Sequence, residues 1–181
     1  MAKSNRVRIV GGAWRSRLLP FPEVPGLRPT PDRVRETLFN WLGQMMDGKT
    51  CLDLFSGSGA LGFEAASRGA KQVVMVERDA KVACSLRDNT ATLHAENCEL
   101  VVADALKFLD QETRRFDVIF VDPPYDFHLL PRVLPLLLDR LTEDGMVYTE
   151  CDTTLEIEPE WQVWRSGKAG QVHYYLLRKA S

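Results

Sequence analysis

Four carboxylates stand where successive apolar segments end. Asp53 lies in "TCLDLF" (50–55), Glu77 closes "KQVVMVE" (71–77), Asp104 closes "CELVVAD" (98–104), and Asp122 closes "FDVIFVD" (116–122). Chance supplies one or two acids at such positions; four together point to chemistry. Between the first two lies "DLFSGSGALG", where Gly57-x-Gly59-x-x-Gly62 follows an apolar segment and opens a helical one. Glu77 falls twenty residues after Gly57. That spacing fits a nucleoside-bearing cofactor, with glycines allowing close backbone approach and the acid taking the ribose hydroxyls. The bland alternatives are a tight turn that needs glycine and acids that suit helix N-termini. Asp53, however, precedes the glycines, and a carboxylate aimed at this turn would repel a pyrophosphate. It suits a ligand with a cationic centre, and S-adenosylmethionine (SAM) carries both an ammonium and a sulfonium. On this reading Asp53, Ser56, Gly57 and Gly59 hold the methionine moiety, Glu77 the ribose, and Asp104 with Ala105 the adenine edge. A nicotinamide-dependent oxidoreductase is the competing reading of the same glycines.

The fourth acid opens Asp122-Pro123-Pro124-Tyr125. Proline has no N–H to give a sheet ladder, so the strand must stop here. An exocyclic amine is a poor nucleophile because its lone pair is delocalised into the ring. The Asp122 carboxylate and the Pro123 carbonyl can each accept one of its N–H groups and aim the lone pair at a methyl donor. Pro123 and Pro124 fix that carbonyl, and Tyr125 can stack on a base. The motif resembles the Asp/Asn-Pro-Pro-Tyr/Phe signature of class I SAM-dependent methyltransferases that modify exocyclic amino groups.

These residues need a scaffold that gathers strand ends. Strand and helix patterns alternate from residue 50 onward: strands at 50–55, 71–77, 98–104, 116–122 and 145–151, with helices at 59–69, 79–94, after 104 and at 129–141. Strands apolar throughout and alternating with helices imply a parallel sheet covered on both faces. Ligands of such sheets sit beyond the carboxyl ends of the strands. The expected architecture is α/β, a Rossmann-like class I methyltransferase fold. It has a seven-stranded, mostly parallel sheet, an antiparallel closing hairpin packed by Trp161 and Trp164, and an N-terminal β-hairpin extension. "RVRIVGGAWRSRLLPFP" reads as two short strands around Gly11-Gly12. "TPDRVRETLFNWLGQMM" reads as a helix capped by Thr30, with Pro31 at its first position and its end at Asp47-Gly48. One domain is expected over 1–181, with residues 1–28 as the basic extension and 29–181 as the catalytic core.

Charge is unevenly spread. Residues 1–35 carry a net +6, whereas the whole chain is −2, leaving −8 on the remainder. A basic arm on an acidic body hints at nucleic acid, and Arg6, Arg8, Arg15 and Arg17 are its candidate phosphate contacts; the bland alternative is a solvated terminus. No apolar run approaches a membrane span. Four dispersed cysteines without a C-x-x-C pair suggest neither zinc nor a disulfide framework, and a reducing cytoplasm. The three histidines lack ligand-spaced partners, so no metal is expected. His128 adjoins the proline motif and reads as a helix-start or surface residue.

A closer resemblance covers residues 6 to about 178. "RIVGGAWRSRLLPFP", "LRPTPDRVRETLFNWL", "LDLFSGSGALGFEAASRGA" and "FDVIFVDPPY" together resemble the RsmD family of bacterial 16S ribosomal RNA guanine-N2 methyltransferases. The resemblance implies methyl transfer from SAM to the N2 amine of one guanine in 16S rRNA, within the small ribosomal subunit or a late assembly intermediate. No inserted target-recognition domain separates Gly57 from Asp122, so docking falls to the basic hairpin, and the guanine must be unstacked and presented. Adenine-N6 methyltransferases of RNA or DNA share the proline motif. A protein glutamine methyltransferase usually carries Asn in place of Asp122. A non-catalytic RNA-binding module is the remaining reading.

Overall fold

The computed structural model describes residues 5–123 and 127–181. Its main sheet has seven strands in the order β5-β4-β3-β6-β7-β9-β8. These are β3 (Thr50–Asp53), β4 (Gln72–Glu77), β5 (Cys98–Val102), β6 (Phe116–Val121), β7 (Leu141–Cys151), β8 (Trp161–Ala169) and β9 (Val172–Lys179). The first five run parallel; β9 pairs antiparallel with both β7 and β8. The expected α/β architecture with an antiparallel edge is what the chain adopts.

Strand alternation divides the core into two layers. Cys51, Val73, Met75, Val118, Phe120 and Tyr148 point to one face, where they pack with α1 (Asp32–Leu42), α2 (Ala60–Ser67) and α3 (Ala80–Thr92). Leu52, Val74, Val76, Ile119, Val121 and Val147 point to the other, against α4 (Ala105–Gln111) and α5 (Leu130–Leu137). Residues one apart face opposite sides because side chains alternate along a strand. Both faces are thus covered, which is why these strands read as continuous apolar runs.

The N-terminal segment forms β1 (Asn5–Arg8) and β2 (Leu18–Phe21), paired antiparallel. Val7, Ile9 and Leu19 are buried in the first core layer, while Arg6, Arg8, Arg15 and Arg17 are exposed. Gly11-Gly12 is not a two-residue turn. The connection runs from Ile9 to Arg17 and contains a 3-10 turn at Gly12–Trp14. It is clamped to α2: Ser67 Oγ donates to Gly11 O at 2.6 Å and accepts from Trp14 N at 2.9 Å. A Cβ on Gly12 would sit 2.0 Å from the Ser67 carbonyl oxygen, so the close approach requires glycine there.

Fully buried Glu64 completes the clamp. It accepts from Val10 N (2.8 Å) and Gly11 N (2.9 Å), and pairs with Arg35 (2.9 Å) and Arg68 (3.0 Å). Arg35, itself buried, also bonds the Thr30 carbonyl and Asp32. Arg35 therefore belongs to the core although it counts among the charges of the basic arm.

Two helix boundaries differ from expectation. Pro31, not Thr30, is the residue preceding α1, and no side chain caps it. Gly43, in the left-handed region at φ +100°, ends α1 before Asp47-Gly48. Asp47 instead bridges to Ala70.

Candidate active site

Chain order reverses at β3: β4 and β5 extend the sheet to one side, and β6 returns to the other. The crevice at such a switch point is where open α/β sheets bind ligands. A cavity of about 720 Å³ opens there, within the range of small-molecule sites. Asp53, Glu77, Asp104 and Asp122 all line it, with Ser56, Gly57, Ala105 and Pro123. The four acids converge because β5, β4, β3 and β6 are consecutive neighbours, so their carboxyl ends form one rim.

The glycine turn shapes the floor. Gly57 (φ +53°) and Gly59 (φ +83°) both occupy the left-handed region, which lets the chain leave β3 and enter α2 within a few residues. Gly59 serves this turn without lining the cavity. Ser56 Oγ donates to the Asp53 carbonyl at 2.9 Å, and Ser56 N donates to Val76 O at 2.9 Å. Gly57 N donates to Glu77 Oε2 at 2.9 Å, and Asp79 N to Oε1 at 3.0 Å. Both oxygens of Glu77 are thereby fixed, each with a lone pair to spare.

Asp53 is only 2% exposed and accepts from Gly62 N at 3.0 Å. Burial, with the Glu77 charge adding to it, lifts its carboxyl from the ordinary 3.8 to about 7 against the opposing pull of the Gly62 amide. A buried carboxylate in a cavity, with no paired cation among the described residues, favours a positively charged ligand. Asp104 caps α4, with Oδ1 accepting from Leu106 N (3.0 Å) and Lys107 N (3.2 Å). It is both a helix cap and a cavity residue, since one oxygen satisfies the helix and Oδ2 remains.

Asp122, just beyond β6, is half-buried and lines the cavity together with Glu150. Burial first, then the Glu150 and Asp53 charges, hold its carboxyl well above the usual range. Glu150 Oε1 accepts from Tyr148 Oη at 2.5 Å and from Thr30 Oγ1 at 3.2 Å. Burial and the Glu150 carboxylate push the Tyr148 phenol up as well. Pro124 and Tyr125 lie outside the described residues. His128 is exposed, in a 3-10 turn over residues 127–129.

Sequence reasoning missed several residues of the site. Glu150 and Tyr148 sit on a strand with no punctuating motif, and only the pairing of β7 with β6 brings them to Asp122. Thr30 belongs to the loop 24–31, which lines the cavity throughout. Leu27 of that loop lies against the glycine turn, 2.8 Å from where a Cβ of Gly57 would be. Arg28 and Arg132, both exposed, also line the cavity. The arginines Arg6, Arg8, Arg15 and Arg17 lie on the hairpin and are not among its lining residues.

The donor set suits SAM. A buried carboxylate in no ion pair among the described residues answers an ammonium, a fixed Glu77 answers vicinal hydroxyls, and the glycine turn leaves room beside them.

Comparison with known proteins places the chain among close relatives. A family model described as Conserved hypothetical protein 95 matches residues 7–178. The chain is 44% identical over 181 residues to Ribosomal RNA small subunit methyltransferase D of Escherichia coli K12, covering 97% of this chain and 91% of that protein. It is 43% identical to the protein of the same name from Haemophilus influenzae, over 96% of this chain and 94% of the relative. A solved structure described as a putative methyltransferase from Escherichia coli superposes with a TM-score of 0.88 at 44% identity, covering 97% of this chain and 98% of that one.

Proposed function

The chain belongs to the Conserved hypothetical protein 95 family, the RsmD family of ribosomal RNA methyltransferases, and from that premise we propose that it methylates the N2 amine of one guanine in small-subunit rRNA. The observation that carries this reading is the placement of Asp122 and Pro123 in the same cavity as Asp53, Glu77 and the Gly57 turn. When bound, SAM supplies an electrophilic methyl group on its sulfonium. Asp53 would hold the ammonium, Glu77 the ribose hydroxyls, and Asp104 with Ala105 the adenine edge. The Asp122 carboxylate and Pro123 carbonyl would each accept an N–H of the incoming amine, fixing its lone pair toward the methyl group. Methylation makes that nitrogen acidic, and Asp122 takes the proton it releases. Pro124 and Tyr125 complete the motif in this reading, the tyrosine as the base's stacking partner.

The RNA would be docked by the hairpin. Arg6, Arg8, Arg15 and Arg17 are exposed, and none is in an ion pair among the described residues. Arginines so placed contact phosphate and fix register without reading sequence. The Glu64 clamp ties their position to α2, so docking is rigidly referred to the cavity. Arg28 and Arg132 at the cavity would meet the phosphates flanking an extruded guanine. The natural substrate is then the small subunit or a late assembly intermediate, and the enzyme works in the cytoplasm. Asp122→Ala tests the central role: SAM binding by calorimetry is retained and methyl transfer is lost. Transfer at the wild-type rate would refute the assignment of Asp122.

A further inference from the structure

β6 and β7 run parallel with Val121 level with Thr149, so Asp122 and Glu150 are the next pair, at the carboxyl edge of the sheet. Glu150 shares a face of β7 with Tyr148, just as Asp122 shares a face with Phe120, and the Phe120 and Tyr148 rings meet edge-on at 6.5 Å. The two carboxyl groups are thus set side by side by the sheet itself. Both line the same cavity. Glu150 is held by two hydroxyls on one oxygen, from Thr30 and Tyr148. That support comes from the loop 24–31 and from β7 itself.

The chemistry of the bases gives this pair a meaning. Guanine presents two adjacent donors, N1–H and the N2 amine, on its Watson–Crick edge. Adenine presents a lone pair on N1 beside the donor N6 amine. Two carboxyl groups side by side, even sharing one proton, offer acceptor oxygens to neighbouring donors. We propose that Glu150 is a specificity-determining residue, accepting the N1–H of the target guanine while Asp122 and Pro123 hold the N2 amine, with Thr30 and Tyr148 positioning it. This rests on the guanine-N2 reading above and names the group that reads the base. A purine with a lone pair at N1 would set acceptor against acceptor at Glu150, a mismatch that hydrogen-bonding sites reject strongly.

The test uses small-subunit rRNA carrying either guanine or 2-aminopurine at the position the wild-type protein methylates. 2-Aminopurine keeps the exocyclic amine but has a lone pair at N1. The wild type should prefer guanine; equal rates on the two RNAs overturn the proposal without any variant. Glu150→Gln replaces a charged acceptor by a neutral amide, so kcat/KM on guanine should fall about 10–100-fold, while its N–H can meet the N1 lone pair of 2-aminopurine. The guanine to 2-aminopurine ratio should fall by at least about tenfold. Glu150→Asp should be slower but keep the wild-type ratio. Equal losses on both RNAs in Glu150→Gln would show a merely structural role and sink the proposal while leaving the methyltransferase reading intact. A wild type that transfers no methyl to any guanine of the RNA would remove both.

Discussion

Asp53→Asn should make the free protein more stable and less functional at the same time. The substitution keeps the shape of the side chain, and the new Oδ1 can still accept from Gly62 N, now bonded at 3.0 Å. What it removes is a charge that the buried site disfavours. The rise of the Asp53 carboxyl from 3.8 to about 7 corresponds to about 4 kcal/mol, at about 1.36 kcal/mol per pH unit. In the folded chain this carboxyl binds its proton more tightly than in the unfolded chain. Raising the pH from about 4 to about 7 therefore costs the wild type stability, and above about 7 the penalty is constant. The asparagine variant escapes it. Its advantage should be about 4 kcal/mol at pH 8 and shrink to less than half of that at pH 5. With about 2–4 °C per kcal/mol for a chain of this size, Tm at pH 8 should rise by about 10 °C. Adding SAM at 100 times its Kd should stabilise the wild type by about 2.7 kcal/mol and the variant hardly at all. Urea unfolding at the two pH values, with and without SAM, reads the stabilities, and thermal unfolding at pH 8 reads the Tm. An advantage that does not change with pH, or a variant less stable at pH 8, would refute the reasoning that burial without a protein cation primes this carboxylate for a positive ligand.

Three further outcomes follow from the same structure. Glu64→Ala should cost about 3–5 kcal/mol in urea unfolding, since it strands a fully buried guanidinium and two backbone amides; a loss below about 1 kcal/mol would show that the clamp does not hold the hairpin. Glu64→Gln should cost nearly as much, because an amide adds donors where four donors already converge. The double variant Arg15→Glu, Arg17→Glu should weaken RNA binding and flatten its log–log salt dependence by about 0.7–0.9 for each phosphate no longer neutralised. SAM affinity should stay unchanged, and an unaltered salt slope would exclude these arginines from docking. Arg28→Ala with Arg132→Ala should raise KM for RNA more than it lowers kcat, read by steady-state kinetics over a range of RNA concentrations.

Much of the fold was legible in the sequence because a parallel sheet covered on both faces leaves a strong mark: apolar strands, punctuated by glycine and acid, alternating with helices. The rim of acids was legible for the same reason, since Asp53, Glu77, Asp104 and Asp122 each stand where a strand ends. The features that were not legible depend on pairing rather than on position. Glu150 carries no motif, and its nearness to Asp122 follows from β7 running beside β6 in register, which no local pattern encodes. Thr30 reads as a helix cap by type and place, yet its hydroxyl is drawn to Glu150, 120 residues away in sequence. Arg35 reads as part of a basic arm, but Glu64 takes it into the core. Gly11-Gly12 looks like a hairpin turn, whereas Gly12 is there to let the chain touch the backbone of Ser67.

The central claim is the identity of the methylated atom. The most direct measurement is incubation of the purified protein with SAM and small ribosomal subunits from a strain lacking its gene, followed by nuclease digestion and mass analysis of the nucleosides. N2-methylguanosine should appear, at one site, with the wild type and not with Asp122→Ala. N6-methyladenosine, or no methylated nucleoside at all, would contradict the claim.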